Sequence, residues 1–178
     1  MSIHKEESTR TEVLIAIAKQ MMLAARTAPK ARGVDNLEIA IVESQNIENI
    51  SQRMKEIGEE NKNQTFLRDA ENILHATVMV IIGTKIKTIG LKKCGHCGFT
   101  NCEEKEKYPD VPCAFNTSDL GIAMGSAVSI AMDNRVDNRI MYSVGQAIME
   151  MGLLGKDVKI VFGIPLSSTA KNPFFDRK

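Results

Sequence analysis

The stretch Thr77-Val-Met-Val-Ile-Ile-Gly83 constrains the fold more than any other. It is apolar, β-branched and ended by glycine, long enough for a buried strand and too short for most helices, so it reads as a central strand. Leu37-Glu-Ile-Ala-Ile-Val42 alternates before turning wholly apolar, and Val158-Lys-Ile-Val-Phe162 runs into Gly163, so both read as further strands. Elsewhere the apolar residues take helical spacing. Thr9-x-x-Glu12 is a capping-box pattern ahead of Val13, Leu14, Ile17, Ala18, Met21 and Ala25, which predicts a helix to about Ala28, just before Pro29. Asn46 stands where it would cap a helix through about Glu60, and Phe66 to about His75 forms another. Ser118-Asp119 opens a helix to about Asn134, Asp137 caps one to about Met151, and the tail from Pro165 to Lys178 reads as extended.

Residues 84 to 117 break this α/β rhythm. They hold lysines, glycines, two prolines and all four cysteines of the chain, with no sustained period. Order there must come from something other than an apolar core, and a bound metal supplies it. The spacing is Cys94-x2-Cys97-x4-Cys102-x10-Cys113. A two-residue gap lets two thiolates face one centre from a tight turn, and Gly95 and Gly98 permit the close approach. Four thiolates complete a tetrahedral zinc site or an iron–sulfur cluster equally well. Zinc sites commonly use two short-gap cysteine pairs, whereas three clustered cysteines plus one distant cysteine beside a proline is nearer to iron–sulfur usage. Lys92, Lys93 and His96 are placed to offset the negative charge of thiolate ligands. His96 is redundant as a ligand beside four cysteines. Glu103-Glu-Lys-Glu-Lys107 is a mixed charge run, read as a solvated face or as a docking patch for a redox partner.

Composition narrows the class. A chain of 178 residues with 43% hydrophobic content can bury a sizeable core, which predicts one domain over 1–178 with an insert at 84–117. The balance of 23 basic and 22 acidic residues gives no global field to draw nucleic acid or an anionic membrane. Val13 to Ala25 is interrupted by Lys19 and Gln20 and falls short of the ~20 residues that span a bilayer. The N-terminus lacks the basic, apolar and small-residue order of a secretory signal, so a cytoplasmic protein is expected. No Ser/His/Asp arrangement, metal-hydrolase histidine pair or phosphate-cradling glycine loop stands out. The ten methionines read as core filler. Gly121, Gly125 and Ser129 form a small-residue stripe suited to helix packing, including packing across a dimer.

Cys94-Gly-His-Cys-Gly-Phe-Thr-Asn-Cys102, followed by Pro112-Cys113 and Asp137-Asn-Arg-Ile-Met-Tyr-Ser-Val-Gly145, resembles prokaryotic proteins described as ferredoxin-domain-containing. Its Cys-Gly-x-Cys-Gly opening also looks like the [4Fe–4S] domain of corrinoid iron–sulfur proteins. Ala28-Pro-Lys-Ala-Arg-Gly-Val-Asp-Asn-Leu-Glu-Ile-Ala-Ile-Val42, with Gly152-Leu-Leu-Gly155 and Val161-Phe-Gly-Ile-Pro165, is similar to nitroreductases. That resemblance implies an α+β, three-layer α/β/α sandwich, a homodimer, and FMN at the subunit interface. Arg10, Lys30 and Arg32 are the residues it offers for flavin phosphate contacts. The family's N-terminal arginine clamp is reduced here to Arg10, Lys30 replaces a serine, and Gly33, Asp35 and Leu37 stand at the usual Asn, Gln and Trp positions. Together the resemblances imply a redox or electron-transfer protein carrying a four-cysteine 4Fe–4S cluster, with oxidoreductase activity beside a flavin as an extension. The alternative is a zinc-stabilised structural or interaction protein on the same fold.

Overall fold

The alternation in the 77–83 run sorts its side chains to two faces, and the structure covers both. The computed structural model describes residues 3–175. In chain order the elements are α1 (Glu6–Thr27), β1 (Leu37–Glu43), α2 (Gln45–Glu60), α3 (Gln64–Ile73), β2 (Val78–Lys85), α4 (Cys102–Glu106), α5 (Ala114–Asp133), β3 (Asp137–Asn138), α6 (Tyr142–Met151) and β4 (Val158–Ser167). The strands form one antiparallel sheet in the order β1-β2-β4-β3. Val78, Val80 and Ile82 of β2 join a core with α1 and α5, whereas Met79 and Ile81 join a second core with α2, α3 and α6. A strand buried on both faces carries no polar alternation, which is why β2 is apolar from Val78 to Ile82. The result is the expected three-layer α/β/α sandwich. Among the described residues no helix is long and apolar enough to cross a membrane.

Small residues set the spacing between layers. Ala18 and Ala25 of α1 and Ala123, Ala127 and Ala131 of α5 are buried in one core, and the Ser126 hydroxyl donates to the Ala24 carbonyl at 3.0 Å across that pair. On the other face Gly145 of α6 lies directly on β4, where an added Cβ would stand 1.7 Å from the Val161 carbonyl oxygen. Met21, Met54, Met79 and Met141 are buried in the two cores, as the filler reading expects.

Several element boundaries differ from the sequence reading, each for a local reason. α1 starts a turn early, with Lys5 at the N-cap, and the Thr9 hydroxyl donates to the Glu6 carbonyl from within the first turn rather than capping. Ser44, with φ of 43°, precedes α2 in place of Asn46. α5 begins at Ala114, directly after Cys113, so Asp119 is inside the helix, where its carboxylate accepts the Ala31 amide at 3.1 Å. Asp137 is no cap: it pairs with Ser167 in β3, and α6 starts five residues later at Tyr142. The tail expected to be extended from Pro165 supplies the last three residues of β4, Pro165 to Ser167, and then turns at Pro173–Phe175. Pro165 is tolerated because β4 pairs with β3 only at Leu166 and Ser167 and bridges Met141 at Gly163, leaving no ladder bond for proline to miss on that side. Met1, Ser2 and residues 176–178 lie outside the described residues.

Candidate functional site

The cysteine segment leaves the sheet at the end of β2 and returns at the start of α5. Lys85 anchors its root, pairing with Glu38 at 2.8 Å and Asp157 at 3.2 Å. Those two carboxylates hold the Lys85 ammonium above its ordinary pKa through their hydrogen bonds. One step on, the Lys87 amide donates to Asn116 Oδ1 at 2.8 Å, tying the outgoing chain to the first turn of α5. Ile89 is buried, and the Arg32 guanidinium donates to the carbonyls of Ile89 and Gly90 at 2.9 and 3.0 Å. Gly90 has φ of +70°, a turn that an L side chain resists.

Beyond this root the chain has no regular structure until α4. The Cys94–Cys97 turn is closed by the Gly98 amide donating to the Gly95 carbonyl at 3.0 Å, with Gly98 at φ of +87°. Asn101 caps α4 by accepting the Glu104 amide at 2.9 Å, and the Glu104 carboxylate accepts the Thr100 amide at 2.6 Å. The Thr100 side chain and amide thereby hold the Glu104 carboxyl below the usual range. Phe99 stacks on Tyr108 with ring centroids 5.2 Å apart, joining the segments on either side of α4. His96 is exposed and its ring leans on Phe115 at 5.7 Å.

All four cysteines are free thiols: Cys94, Cys97 and Cys102 are half-buried, and Cys113 is buried at the N-cap of α5 with no side-chain capping bond. Two of them therefore sit at helix starts, Cys102 opening α4 and Cys113 preceding α5. Among the described residues no three His, Cys, Asp or Glu side chains gather closely enough to hold a metal ion. The chain thus brings the four thiols onto one excursion without drawing them around one point.

The three cations offered for flavin phosphate contacts are all engaged, and Arg10 is remote from Lys30 and Arg32, which share one loop. Arg10 pairs with Glu6 on α1. Roughly 25 Å of helix separates it from the far end of α1. There Lys30 Nζ donates to the carbonyls of Ala25 and Ala28 at 2.8 Å and to that of Arg26, closing the helix C-terminus. Burial first, and the nearby Arg26 charge after it, push the Lys30 ammonium down, with Asp35 and Asp119 opposing. Arg32, in the left-handed region at φ of 56°, serves the cysteine segment as described. Arg139 donates to the Phe174 carbonyl at 2.8 Å and lies 3.6 Å from the buried Asp69, which also accepts from Ser143 at 2.6 Å and Arg68 at 2.7 Å. This is a structural knot joining α3, α6 and the C-terminal turn.

Arg32 makes a checkable link. Arg32→Ala is expected to cost the whole fold only roughly 1 kcal/mol, because the group is exposed. It should nevertheless raise amide exchange across 86–101 by several-fold in hydrogen–deuterium exchange, and unchanged exchange there would show that the two carbonyl contacts do not hold the segment.

Sequence reasoning missed two buried residues on the helices that begin at cysteines, Lys105 on α4 and Asn116 on α5. Lys105 belongs to the mixed charge run that reads as a solvated face or docking patch, yet only 2% of it is exposed. The signal was present in Asn101-x-x-Glu104, a capping pattern that predicts a helical turn and therefore an inward face for the run.

Comparison with known proteins gives concordant results. A family model described as "Uncharacterized protein containing a ferredoxin domain (DUF2148)" matches residues 109–177, a span that includes Cys113 but begins after the other three cysteines. An uncharacterized protein of Archaeoglobus fulgidus is 38% identical over 180 residues, covering 97% of this chain and 96% of its own. Among solved structures, a nitroreductase with bound FMN from Bacteroides fragilis superposes with a TM-score of 0.61 at 12% identity, covering 92% of this chain and 81% of its own. A nitroreductase family protein from Clostridium novyi gives 0.59 at 15% identity, covering 94% and 76%. A nitroreductase with bound FMN from Desulfitobacterium hafniense gives 0.58 at 15% identity, covering 99% and 85%. The fold is nitroreductase-like.

Proposed function

This chain belongs to the family of uncharacterized proteins that contain a ferredoxin domain, and from that premise we propose that it is a redox protein in which Cys94, Cys97, Cys102 and Cys113 ligate a 4Fe–4S cluster. The observation that carries the proposal is the confinement of all four free thiols to one segment that is tied down at its root and has no core of its own. Thiolates are the ligands such a cluster takes, and bound, it supplies a site that accepts and gives up one electron. The donor set fits that group in chemistry. Cys113 has no competing hydrogen bond, and Cys94 to Cys102 lie on a stretch whose only helix is the single turn of α4, so closing them over Cys113 breaks no sheet pairing.

The protein's part is to hold the four thiolates, shield them and set the potential through nearby donors. The exposed edge of the Phe99–Tyr108 stack, where Tyr108 is half exposed, is the face we assign to a redox partner protein. A homodimer is part of the same proposal. The stripe Gly121, Gly125 and Ser129 faces outward, nothing lies within 4 Å of a Cβ built on either glycine, and Ile122 and Met132 flank it exposed. An apolar, small-residue helix face of this kind suits a second copy of the chain. FMN stays outside the core of the proposal, because Arg10, Lys30 and Arg32 are already engaged within the chain.

Anaerobic purification followed by iron, sulfide, zinc and flavin analysis tests this reading. The expected protein is brown with about four irons and four sulfides per chain. A colourless protein with equimolar zinc would replace the redox reading with the zinc-stabilised structural one.

A further inference from the structure

We propose that the cleft between α3 and the C-terminal turn Pro173–Phe175 binds a small organic anion, with its carboxylate or phosphate group on Arg68 and a neighbouring polar atom on Asn72. The inference does not rest on the cysteines or on the redox reading. The cleft holds about 680 Å3, within the roughly 300–1,000 Å3 that small-molecule sites occupy. It lies on the side of the sheet that carries α2, α3 and α6, opposite the side that carries α1 and α5. One face of α3 supplies its polar floor. Gln64, Arg68 and Asn72 recur every four residues, His75 follows just past the helix end, and Leu67 and Pro173 add apolar walls. A helix rises about 1.5 Å per residue, so Arg68 and Asn72 stand roughly 6 Å apart along the axis, a span that one small molecule bridges.

Charge selects the ligand. Arg68 Nε and Nη2 donate to Asp69 Oδ1 at 3.0 and 2.7 Å, while its Nη1 makes no hydrogen bond among the described residues. Arg139 also approaches Asp69, at 3.6 Å, so two guanidinium charges meet one buried carboxylate and one positive charge is left over. Among the described lining residues the one carboxylate is Glu71, and Lys55 pairs with it at 2.6 Å. The other polar side chains, Gln64, Thr65 and His75, bring donors and no negative charge. A guanidinium with an uncommitted N–H edge suits a carboxylate or a phosphate.

Asn72 is an independent sign of a ligand. It lines the cleft, is 8% exposed, and its Nδ2 has no hydrogen-bond partner. Buried donors are almost always satisfied, because leaving one unpaired forfeits its hydration for nothing. An apolar side chain would fill the same position without that loss. A carboxamide offers a donor and an acceptor, so it can pair with either kind of atom on a molecule held one helical turn away at Arg68.

The test uses the full chain, purified anaerobically, and three probes: AMP, citrate and inorganic phosphate. Calorimetry measures binding, and hydrogen–deuterium exchange locates it. AMP or citrate is expected to bind about tenfold or more tighter than inorganic phosphate and to slow exchange across 64–75, with the tighter of the two telling phosphate from carboxylate. Asn72→Leu should weaken that binding about tenfold or more while the thermal midpoint stays equal or rises, a combination that a merely structural asparagine would not give. If the leucine variant fails to fold, Arg68→Gln decides: a similar loss with wild-type exchange in β2 and β4 supports the site, and binding within about twofold of wild type overturns it. The proposal is also overturned if neither organic probe binds, if protection falls only outside 64–75, if inorganic phosphate binds as tightly as the organic anions, or if a folded Asn72→Leu protein binds like wild type.

Discussion

Gly145→Ala is expected to destabilise the folded chain by about 3 kcal/mol or more, lowering the thermal midpoint by roughly 10 °C for a domain of this size. The added methyl would stand 1.7 Å from the Val161 carbonyl oxygen and 2.4 Å from its carbon. Both are backbone atoms of β4, which is hydrogen-bonded to β2 along its length and cannot withdraw without breaking that ladder. α6 would have to lift off the sheet, opening the core formed by Val144, Ala147 and Ile148. Gly58→Ala is the contrast. Its methyl meets the flexible end of Leu67 at 2.7 Å, and the gain in helix propensity offsets part of the clash, so a loss under about 1 kcal/mol is expected. Urea unfolding of the two variants measures both. A Gly145→Ala protein as stable as wild type would mean that α6 does not approach β4 this closely.

The same glycine shows what the sequence could and could not disclose. Central strand β2 was legible because burial on both faces removes every polar residue from the run, leaving a pattern with one reading. Helices with an apolar face, such as α2 and α3, were legible for the same kind of reason. Gly145 carried no local signal, since a glycine within a helix is silent about what lies across from it. β3 and the second half of β4 were illegible too. Asp137 reads as a cap in any local window, and only the presence of Leu166 and Ser167 across the sheet turns it into a strand residue.

The candidate site divides in a similar way. Its ligand set was visible as spacing alone, because four cysteines within twenty residues have few other uses. The surroundings were not. Lys30 and Arg32 stood in a loop that resembles a flavin contact, but three carbonyls at the end of α1 and two at the root of the insert claim their charges. Lys105 sat within a charge run whose average looks solvated, although one capped turn is enough to bury one of its five side chains. Periodicity over five residues is too short to register, while a cap pattern such as Asn101-x-x-Glu104 remains readable at that length.

Cys113→Ser is expected to separate ligation from structure within a single side chain. Cys113 is 5% exposed and occupies the N-cap of α5 without a side-chain bond to the first-turn amides. Serine is nearly isosteric and is a preferred cap, able to accept one of those amides, so the metal-free variant should be as stable as the metal-free parent or better by about 0.5–1 kcal/mol. A hydroxyl is a far poorer cluster ligand than a thiolate, so iron and sulfide after anaerobic reconstitution should fall below about a tenth of the wild-type content. Loss of the cluster should also be local. The sandwich has its own two cores, whereas the 86–101 stretch is tied to the body by a few polar anchors at Lys87, Ile89 and Gly90, so amide exchange should rise there and stay unchanged in β2 and β4. Full iron content in Cys113→Ser would remove Cys113 from the ligand set, and a variant that loses iron only by unfolding throughout would make the cysteine a core residue instead.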